Sequence, residues 1–294
     1  MRVLVTGAAG QLGSAIVREF GRDHDVVPLT IADLDLTRHG DAMAAVAAVR
    51  PGVIVNCAAY NDVDGAEDDP VTALAVNGFA VRSLAEAARQ AGAALVHYST
   101  DFVFDGTADR PYTEEDRPEP RSFYAISKLV GDWFAGEAGR HYILRVESLF
   151  GGASTATPLR RSSVDRIVEA IQEGREARVF TDRTVTPSFV ADVAVATRLL
   201  VERAAPFGLY HCVNSGVTTW LELAEAIGAL LNVTTRLLAV PFAEAALKAR
   251  RPKYCALSNA KLAAAGIAMP SWRDALARYV AALEEPNRRA TNLR

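Results

Sequence analysis

The sequence has few cysteines, little excess charge of either sign and no long apolar run, and each shortage excludes a class of protein. The 294 residues carry 32 Lys and Arg against 35 Asp and Glu, so no basic excess is available to neutralise a nucleic-acid backbone. The three cysteines form no C-x-x-C pair, which argues against a disulfide framework and a zinc site. No apolar run approaches the ~20 residues that cross a bilayer, and we see no signal peptide. We therefore expect a soluble, cytoplasmic protein that binds neither nucleic acid nor membrane.

What the sequence does have is a globular composition, with 50% hydrophobic and 23% charged residues. In its first half, short β-branched runs alternate with longer stretches in which apolar residues have helical spacing. The predicted strands are Arg2–Val5, Asp25–Leu29, Val53–Cys57, Ala94–Ser99 and His141–Val146, with Arg178–Thr181 further along. This alternation predicts an α/β fold with a Rossmann-type, doubly wound parallel sheet, whose ligands bind at the carboxyl ends of the strands.

The later part of the chain predicts a smaller, mostly helical portion that binds substrate. Its amphipathic patterns are typical of helices over Val190–Glu202, Trp220–Leu231 and Trp272–Glu284, and Gly151–Arg161 has the composition of a loop. We predict a dinucleotide-binding domain over residues 1–148 and about 178–204. The interleaved substrate-binding domain would take about 149–177 and 205–294.

Three glycines follow the first predicted strand and open the first predicted helix. Gly7, Gly10 and Gly13 give the pattern G-x-x-G-x-x-G, a variant of the dinucleotide fingerprint. Glycine there permits a tight turn and lets the backbone approach a pyrophosphate, while the helix N-terminus supplies N–H groups. Plain turns also need glycine, but the strand before and the helix after favour nucleotide binding.

The end of the second predicted strand bears on which nicotinamide cofactor binds. A carboxylate at that point would hold the adenosine ribose of NAD, but the strand ends at Leu29 and Thr30. The neutral Thr30 leaves space for a 2′-phosphate and so favours NADPH. Asp33 and Asp35 follow closely and can be explained as caps of the next helix.

Tyr124 and Lys128 form the strongest candidate catalytic pair. Four residues apart on a predicted helix, Phe123–Ala138, they share one face, although an isolated Y-x-x-x-K is also common on solvated helices. An ammonium beside a phenol favours the phenolate, so we expect the pKa of Tyr124 to fall from about 10. Thr100, after Ser99 at the end of an earlier strand, can hydrogen-bond the same substrate oxygen. The set suits hydride transfer to a carbonyl, which leaves an alkoxide that must be protonated.

Seven segments, in order over nearly the whole chain, carry a family resemblance. They are Gly7–Gly13 (GAAGQLG), Val55–Asp64 (VNCAAYNDVD), His97–Gly106 (HYSTDFVFDG), Tyr124–Lys128 (YAISK), Thr184–Asp192 (TVTPSFVAD), Gly208–Gly216 (GLYHCVNSG) and Arg251-Pro252. In these segments the chain resembles the extended short-chain dehydrogenase/reductases, and specifically the dTDP-4-dehydrorhamnose reductases. HYSTDFVFDG is far more specific than the glycine loop.

The resemblance implies NADPH-dependent reduction of the C4 keto group of a 6-deoxy sugar nucleotide, most simply dTDP-4-dehydro-L-rhamnose to dTDP-L-rhamnose, with NADH as the other candidate cofactor. It makes Tyr124 the catalytic acid, Lys128 its partner and Thr100 the polarising hydroxyl. Besides Tyr124 and Lys128, the predicted cofactor contacts are Gly7, Gly10, Gln11, Leu12, Gly13, Asp35, Leu36, Ala58, Ala59, Tyr60, Asn61 and Tyr98. The predicted substrate contacts are Thr100, Asp101, Ser148, Arg250 and Arg251. A homodimer is also suggested, and Mg²⁺ is left open, although no ligand cluster in the sequence supports the metal.

Two departures from the family pattern leave the sugar undecided. The family segment R-T-S-W-V-Y-G corresponds here to Arg145–Gly151, so Ser148 replaces a tryptophan, and Phe102 stands where a tyrosine is common. Phe102 also follows Thr100 and Asp101 where sugar-nucleotide dehydratases carry a second carboxylate, which argues against dehydration. A C4-epimerase of another pathway remains an alternative, since it would use the same three catalytic groups.

Two further predictions concern a cluster of basic residues and the alternative that the protein is not an enzyme. Lys248, Arg250, Arg251 and Lys253 either clamp the diphosphate of the substrate or form a solvated loop. The regulatory subunit of methionine adenosyltransferase has a similar fold and acts as a non-catalytic binding partner. The intact catalytic set favours an enzyme over such a subunit.

Overall fold

The structure is a computed structural model that describes residues 1–152 and 161–291. The strands are β1 (Arg2–Thr6), β2 (Asp25–Leu29), β3 (Val53–Asn56), β4 (Ala94–Thr100), β5 (His141–Val146), β6 (Leu149–Phe150), β7 (Ala177–Phe180), β8 (Thr184–Val185), β9 (Ser188–Phe189), β10 (Gly208–His211), β11 (Thr218–Thr219) and β12 (Leu237–Val240). The helices are α1 (Gln11–Phe20), α2 (His39–Val49), α3 (Gly65–Asp68), α4 (Pro70–Leu74), α5 (Ala80–Ala91), α6 (Phe123–Gly136), α7 (Ser163–Gln172), α8 (Val190–Glu202), α9 (Trp220–Leu231), α10 (Ala260–Ala264) and α11 (Trp272–Thr291).

Six strands form one parallel sheet in the order β10-β5-β4-β3-β1-β2. The chain passes from β1 to β2 on one side and then returns to β3 on the other, so the strand order reverses between β1 and β3. In doubly wound sheets ligands bind outside the carboxyl ends of the strands at such a point. The predicted Rossmann-type architecture is confirmed, and the loops after β1 and β3 flank the binding crevice.

Both faces of this sheet are covered because alternate strand residues point to opposite sides. Val3 and Val5 of β1 pack with α1 and α8 on one face. Leu4 of the same strand packs with Ile54 and Leu95 against α2 and α5 on the other. The near-continuous apolar runs seen in the sequence are therefore strands buried on both sides.

A second core forms the smaller, mostly helical part. Side chains of α7, α9 and α11 pack there with β7, and the fully buried Phe150 stacks on Phe189 with ring centroids 5.4 Å apart. The helix α7 begins with a capping box, in which the Ser162 hydroxyl accepts from Asp165 N and the Asp165 carboxylate accepts from Ser162 N. No helix of the described residues is both long and apolar enough to cross a membrane.

The predicted strands of the first half differ from β1 to β5 at most by their last residue, and the strand predicted at Arg178–Thr181 is present one residue earlier. Arg178–Thr181 corresponds to β7, which pairs with β12 outside the large sheet. The strand β10 joins the large sheet beside β5, although the predicted division placed residues 205–294 in the substrate portion. Most of the predicted Gly151–Arg161 loop, residues 153–160, lies outside the described residues.

Apolar residues with helical spacing run from Pro70 to Ala91 in the sequence, and the structure shows a local change of helix type within this stretch. After α4, the segment Ala75–Phe79 forms a π-helical turn, and α5 then continues from Ala80. Such turns insert an extra residue into the helix and re-aim its side chains. Here the turn carries Asn77, which is 1% exposed and contributes to the site described next.

Candidate active site

The two predicted catalytic elements meet at the carboxyl end of the sheet. Thr100 ends β4, and Tyr124 and Lys128 lie on α6, which packs against β4. The helix begins directly before Tyr124 because the Ser122 hydroxyl caps it by accepting from Ala125 N at 3.3 Å. Thr100, Tyr124 and Lys128 are all buried. The pair therefore does not lie on a solvated helix face.

Lys128 is anchored on the backbone of the neighbouring strand. Its Nζ donates a hydrogen bond to Tyr98 O at 2.6 Å. Burial lowers the pKa of Lys128 to about 8, while the negative charge of Asp132 acts in the opposite direction. The ammonium is thus fixed in position and keeps its proton at neutral pH.

The phenol of Tyr124 behaves differently from the prediction. Burial raises its pKa, and the negative charge of Asp101 raises it further, while a hydrogen bond with the Thr100 hydroxyl offsets only part of this. The expectation that Lys128 lowers the pKa of Tyr124 is therefore wrong for this structure, since the ammonium is directed at Tyr98 O. Tyr124 keeps its proton at neutral pH and is an acid that can donate it.

The glycine loop has the geometry that a dinucleotide requires. Gly7 has φ +64°, and a Cβ there would lie 2.6 Å from Ala58 N. A Cβ on Gly13 would lie 2.2 Å from Gly7 O, so only glycine lets α1 pack against the loop. Gly10 precedes α1, and the Nε2 of Gln11 is buried without a partner in the described part of the chain. Free N–H groups at a helix N-terminus fit the phosphates of a dinucleotide, whereas Leu12 belongs to the core.

Asn77 holds the second loop of the crevice and was missed from the sequence. Its Oδ1 accepts from Tyr60 N at 2.8 Å, and its Nδ2 lies within hydrogen-bond distance of Tyr60 O and of Ser127 Oγ on α6. The segment with the predicted contacts Ala58, Ala59, Tyr60 and Asn61 is thereby tied to the catalytic helix. The only sequence signal was an asparagine within an otherwise apolar helical pattern.

In the region after β2, Asp33 and Asp35 do not cap the next helix, and an arginine side chain lies beside Asp35. Asp33 accepts hydrogen bonds from Thr30, and Asp35 accepts them from Thr37. Neither carboxylate caps α2, whose N-cap is Arg38. The Arg38 guanidinium lies 3.5 Å from the Asp35 carboxylate, so this region does hold an arginine that the sequence alone did not single out.

Two further predicted cofactor contacts occupy different environments. Leu36 is buried against the α2 and α5 side of the sheet. The Tyr98 hydroxyl is bonded to Thr197 Oγ1 on α8 at 2.7 Å. Tyr98 therefore serves the catalytic set through its backbone oxygen, which holds Lys128.

The residues predicted to contact the substrate differ in burial and in the partners that they already bind. Asp101 is buried and accepts from Thr100 Oγ1 at 3.0 Å. Ser148 is partly buried and has a left-handed backbone, with φ +43°. Arg251 forms a bidentate pair with Asp64 in the loop after β3, whereas Arg250 is exposed and has no ion pair among the described residues.

One group of potential metal ligands exists in the described residues, and it does not fit magnesium. Atoms of Asp101, Glu147 and Cys255 lie within 4.8 Å of one another, all buried. Magnesium prefers an octahedral shell of oxygens and keeps several waters. The thiol of Cys255 and the adjacent Arg183 guanidinium are incompatible with that shell.

Comparison with known proteins agrees with this geometry. The sequence model of one family, described as "RmlD substrate binding domain", matches residues 1–285. The chain belongs to this family. The family expectation drawn from the seven sequence segments is confirmed.

Three members or relatives of this family illustrate the match. The chain is 34% identical to a dTDP-4-dehydrorhamnose reductase of Burkholderia thailandensis, covering 94% of this chain and 97% of that one. It is 36% identical to a probable dTDP-4,6-dihydroxy-2-methyloxan-3-one 4-ketoreductase of Streptomyces antibioticus, covering 94% and 93%. Among solved structures, a dTDP-4-dehydrorhamnose reductase of Bacillus anthracis in complex with NADP superposes with a TM-score of 0.88 at 33% identity, covering 95% and 98%.

Proposed function

We propose that this protein is an NADPH-dependent oxidoreductase that reduces the C4 keto group of a dTDP-linked 6-deoxy sugar. The observation that carries the proposal is the buried set of Thr100, Tyr124 and Lys128 at the carboxyl end of the sheet. The loop after β1 lies at the same end, and its backbone has no room for a Cβ at Gly7 or Gly13. The family membership and the activities named for the relatives support it.

In the proposed reaction NADPH supplies the hydride that reaches the C4 carbon. The Thr100 hydroxyl hydrogen-bonds the C4 oxygen and orients the carbonyl. Tyr124 donates the Oη proton to that oxygen as negative charge develops on it. Because the pKa of Tyr124 is raised, the phenol is protonated before the reaction, and the same shift makes it a weaker acid than free tyrosine.

Lys128 acts by position and charge. Fixed on Tyr98 O, its ammonium would be available to hold a ribose hydroxyl of the bound cofactor, and it adds a positive charge to the site. Gly7, Gly10 and Gly13 let the backbone approach the diphosphate, whose charge the N-terminus of α1 stabilises.

The choice of NADPH over NADH rests on the region after β2. The Arg38 guanidinium lies 3.5 Å from the Asp35 carboxylate, where it can pair with a 2′-phosphate, although the Asp33 carboxylate bonded to Thr30 acts against such a phosphate. The NADP complex of the Bacillus anthracis relative supports the same choice.

The simplest substrate is dTDP-4-dehydro-L-rhamnose, and relatives named dTDP-4-dehydrorhamnose reductase support this choice. The Streptomyces antibioticus relative is named for a different 4-keto sugar, and Ser148 in place of an aromatic wall leaves room for such a substrate. Both sugars present a C4 ketone to the same three residues.

The proposal is tested by following NADPH absorbance after mixing the purified protein with dTDP-4-dehydro-L-rhamnose. We expect stoichiometric NADPH oxidation and much slower oxidation with NADH. A non-catalytic binding subunit would bind NADPH without consuming it, and a C4-epimerase would return an epimer with no net consumption.

A further inference from the structure

One buried carboxylate, Asp101, is bonded to the Thr100 hydroxyl, and a second, Glu147, lies within 4.8 Å of Asp101. Asp101 follows Thr100 after β4, and Glu147 follows β5, the neighbouring strand of the sheet. They are 3% and 1% exposed, and Asp101 Oδ2 and Glu147 Oε1 have no hydrogen-bond partner within the described residues. Two such carboxylates within 4.8 Å of each other cannot both be ionised without a large electrostatic cost.

The surroundings supply one positive charge for this pair. The buried Arg183 guanidinium attracts both carboxylates, and its Nη2 donates to Cys255 Sγ at 3.5 Å. The thiol itself donates to Pro252 O at 3.3 Å, as a neutral group does. One carboxylate is therefore balanced by Arg183, and a proton is needed for the other.

The remaining contacts of Glu147 fix its orientation. Its Oε2 accepts from Thr186 N at 2.7 Å and from Thr186 Oγ1 at 2.5 Å. Burial raises the pKa of the nearby Tyr254 phenol, Asp109 raises it further, and a charge on Glu147 would add to this effect. With Oε2 held by Thr186, the other oxygen, Oε1, is left for the shared proton.

The charge of the pair acts on the reaction through Thr100. Asp101 Oδ1 accepts from Thr100 Oγ1, and the Thr100 hydroxyl acts on the neighbouring Tyr124 phenol, whose pKa it lowers. Negative charge on Asp101 opposes loss of the proton from Tyr124, as does the charge of Asp132 on α6. A second negative charge at Glu147 would add to this repulsion and oppose the alkoxide that forms at C4.

We propose that Glu147 is a positioning residue of the reduction, which holds one proton jointly with Asp101 and so keeps excess negative charge away from Thr100 and Tyr124. This inference rests on the proposed function. The expected consequence is that reduction is fast while the pair holds its proton and slows when the pair loses it.

The direction of the pKa shifts agrees with a protonated pair at neutral pH. Burial raises the pKa of Asp101 to about 6, and burial together with Asp101 raises the pKa of Glu147 well above its usual range. A raised pKa means that the protonated form persists as the pH increases through neutrality. Turnover should therefore fall on the alkaline side, by about tenfold per pH unit above the pKa of the pair.

The variant Glu147→Gln distinguishes a role of Glu147 in holding the proton from a purely structural role. Glutamine keeps an oxygen that accepts from Thr186 and has the same charge as the protonated glutamate at every pH. We expect kcat/KM of Glu147→Gln to match the wild type within about threefold at pH 6 and to lose the alkaline decrease. Glu19→Gln, which changes another buried carboxylate on α1, should keep the wild-type profile.

Two kinetic outcomes would overturn the inference. A wild-type profile without an alkaline decrease would show that no such proton matters. An unchanged decrease in Glu147→Gln would assign it to another group, for which Lys128, with its pKa of about 8, is the first candidate.

An infrared difference spectrum tests the proton without any substrate. At neutral pH, wild type minus Glu147→Gln should show the carbonyl band of an un-ionised carboxylic acid, and its absence would refute the shared proton. If the band is present but the sugar nucleotide is not reduced, the proposed function fails while the carboxyl pair stands.

Discussion

At the scale of single residues, the chemistry depends on whether Tyr124 holds its proton when the substrate arrives. The phenol is buried, packs edge-on against Phe102 with ring centroids 5.7 Å apart, and has a raised pKa. Lys128 does not reverse this, because its Nζ is bonded to Tyr98 O. The phenol is therefore protonated when the substrate arrives, as a proton donor to the developing alkoxide must be.

Removing the phenolic hydroxyl tests that assignment. Tyr124→Phe should lower kcat by about 10²- to 10⁴-fold because the developing alkoxide loses its proton donor. The Kd for NADPH, measured by fluorescence titration, should change by less than about threefold. The matched control is Tyr210→Phe on β10. It removes a hydroxyl that donates to Pro206 O and should retain turnover. Near-normal turnover of Tyr124→Phe would refute the mechanism.

The two arginines predicted to hold the substrate differ in what they already bind. Arg251 is paired with Asp64, whereas Arg250 is exposed. Arg250→Ala should raise KM for the sugar nucleotide by roughly tenfold, as expected for loss of a phosphate contact, and should leave kcat nearly unchanged. Arg89→Ala, an exposed arginine on α5, serves as the control. An unchanged KM would mean that Arg250 belongs to a solvated loop.

At the scale of elements, runs of β-branched residues predict the first five strands well, because four of them are buried on both faces and only β2, at the edge of the sheet, is partly exposed. The strand β10 was missed because Gly208–His211 is short and contains glycine and histidine. The π-helical turn at Ala75–Phe79 was missed because one inserted residue barely changes the apolar spacing of a 22-residue pattern.

The candidate site also contains some residues that the sequence predicts and others that it does not. The glycine loop and the Tyr124–Lys128 pair are local in sequence, so spacing alone predicts them. Asn77, Glu147 and Arg183 act through partners far away in the chain. Nothing in their own neighbourhood shows that they are buried together with the catalytic residues.

The contact between α1 and the glycine loop yields a prediction at this scale. Gly13→Ala would place a Cβ 2.2 Å from Gly7 O, so the loop must shift. We expect NADPH affinity to fall by at least about tenfold, with a loss of stability of roughly 1–3 kcal/mol from overpacking. Gly136→Ala in α6 meets nothing within 4 Å and should instead stabilise the protein by about 0.5–1 kcal/mol. Normal NADPH binding by Gly13→Ala would contradict the assigned role of the loop.

At the scale of the whole molecule, an ion pair connects the two cores. Arg278 of α11 donates two hydrogen bonds to Asp192 of α8, at 2.9 and 2.7 Å. Asp192 is 8% exposed and also accepts from Asn214 Nδ2 at 2.7 Å. The helix α8 packs on the large sheet, and α11 packs in the smaller core, so this contact joins the two cores.

Arg278→Ala should lower the free energy of unfolding by about 1–2 kcal/mol, because it leaves the Asp192 carboxylate without its cation; the partial exposure of Arg278 limits the loss. Urea unfolding followed by circular dichroism measures this, with Arg89→Ala as the control. A midpoint equal to that of the wild type would show that the two cores are held together by apolar packing alone.

The central claim is hydride delivery to C4 of a keto sugar, and an isotope experiment tests it most directly. The protein is incubated with dTDP-4-dehydro-L-rhamnose and NADPH carrying deuterium at the transferred position, and the product is examined by NMR. The account predicts a dTDP-6-deoxy sugar with deuterium bound at C4 and equimolar NADP⁺. Recovery of unreduced sugar, or of product without deuterium at C4, would contradict it.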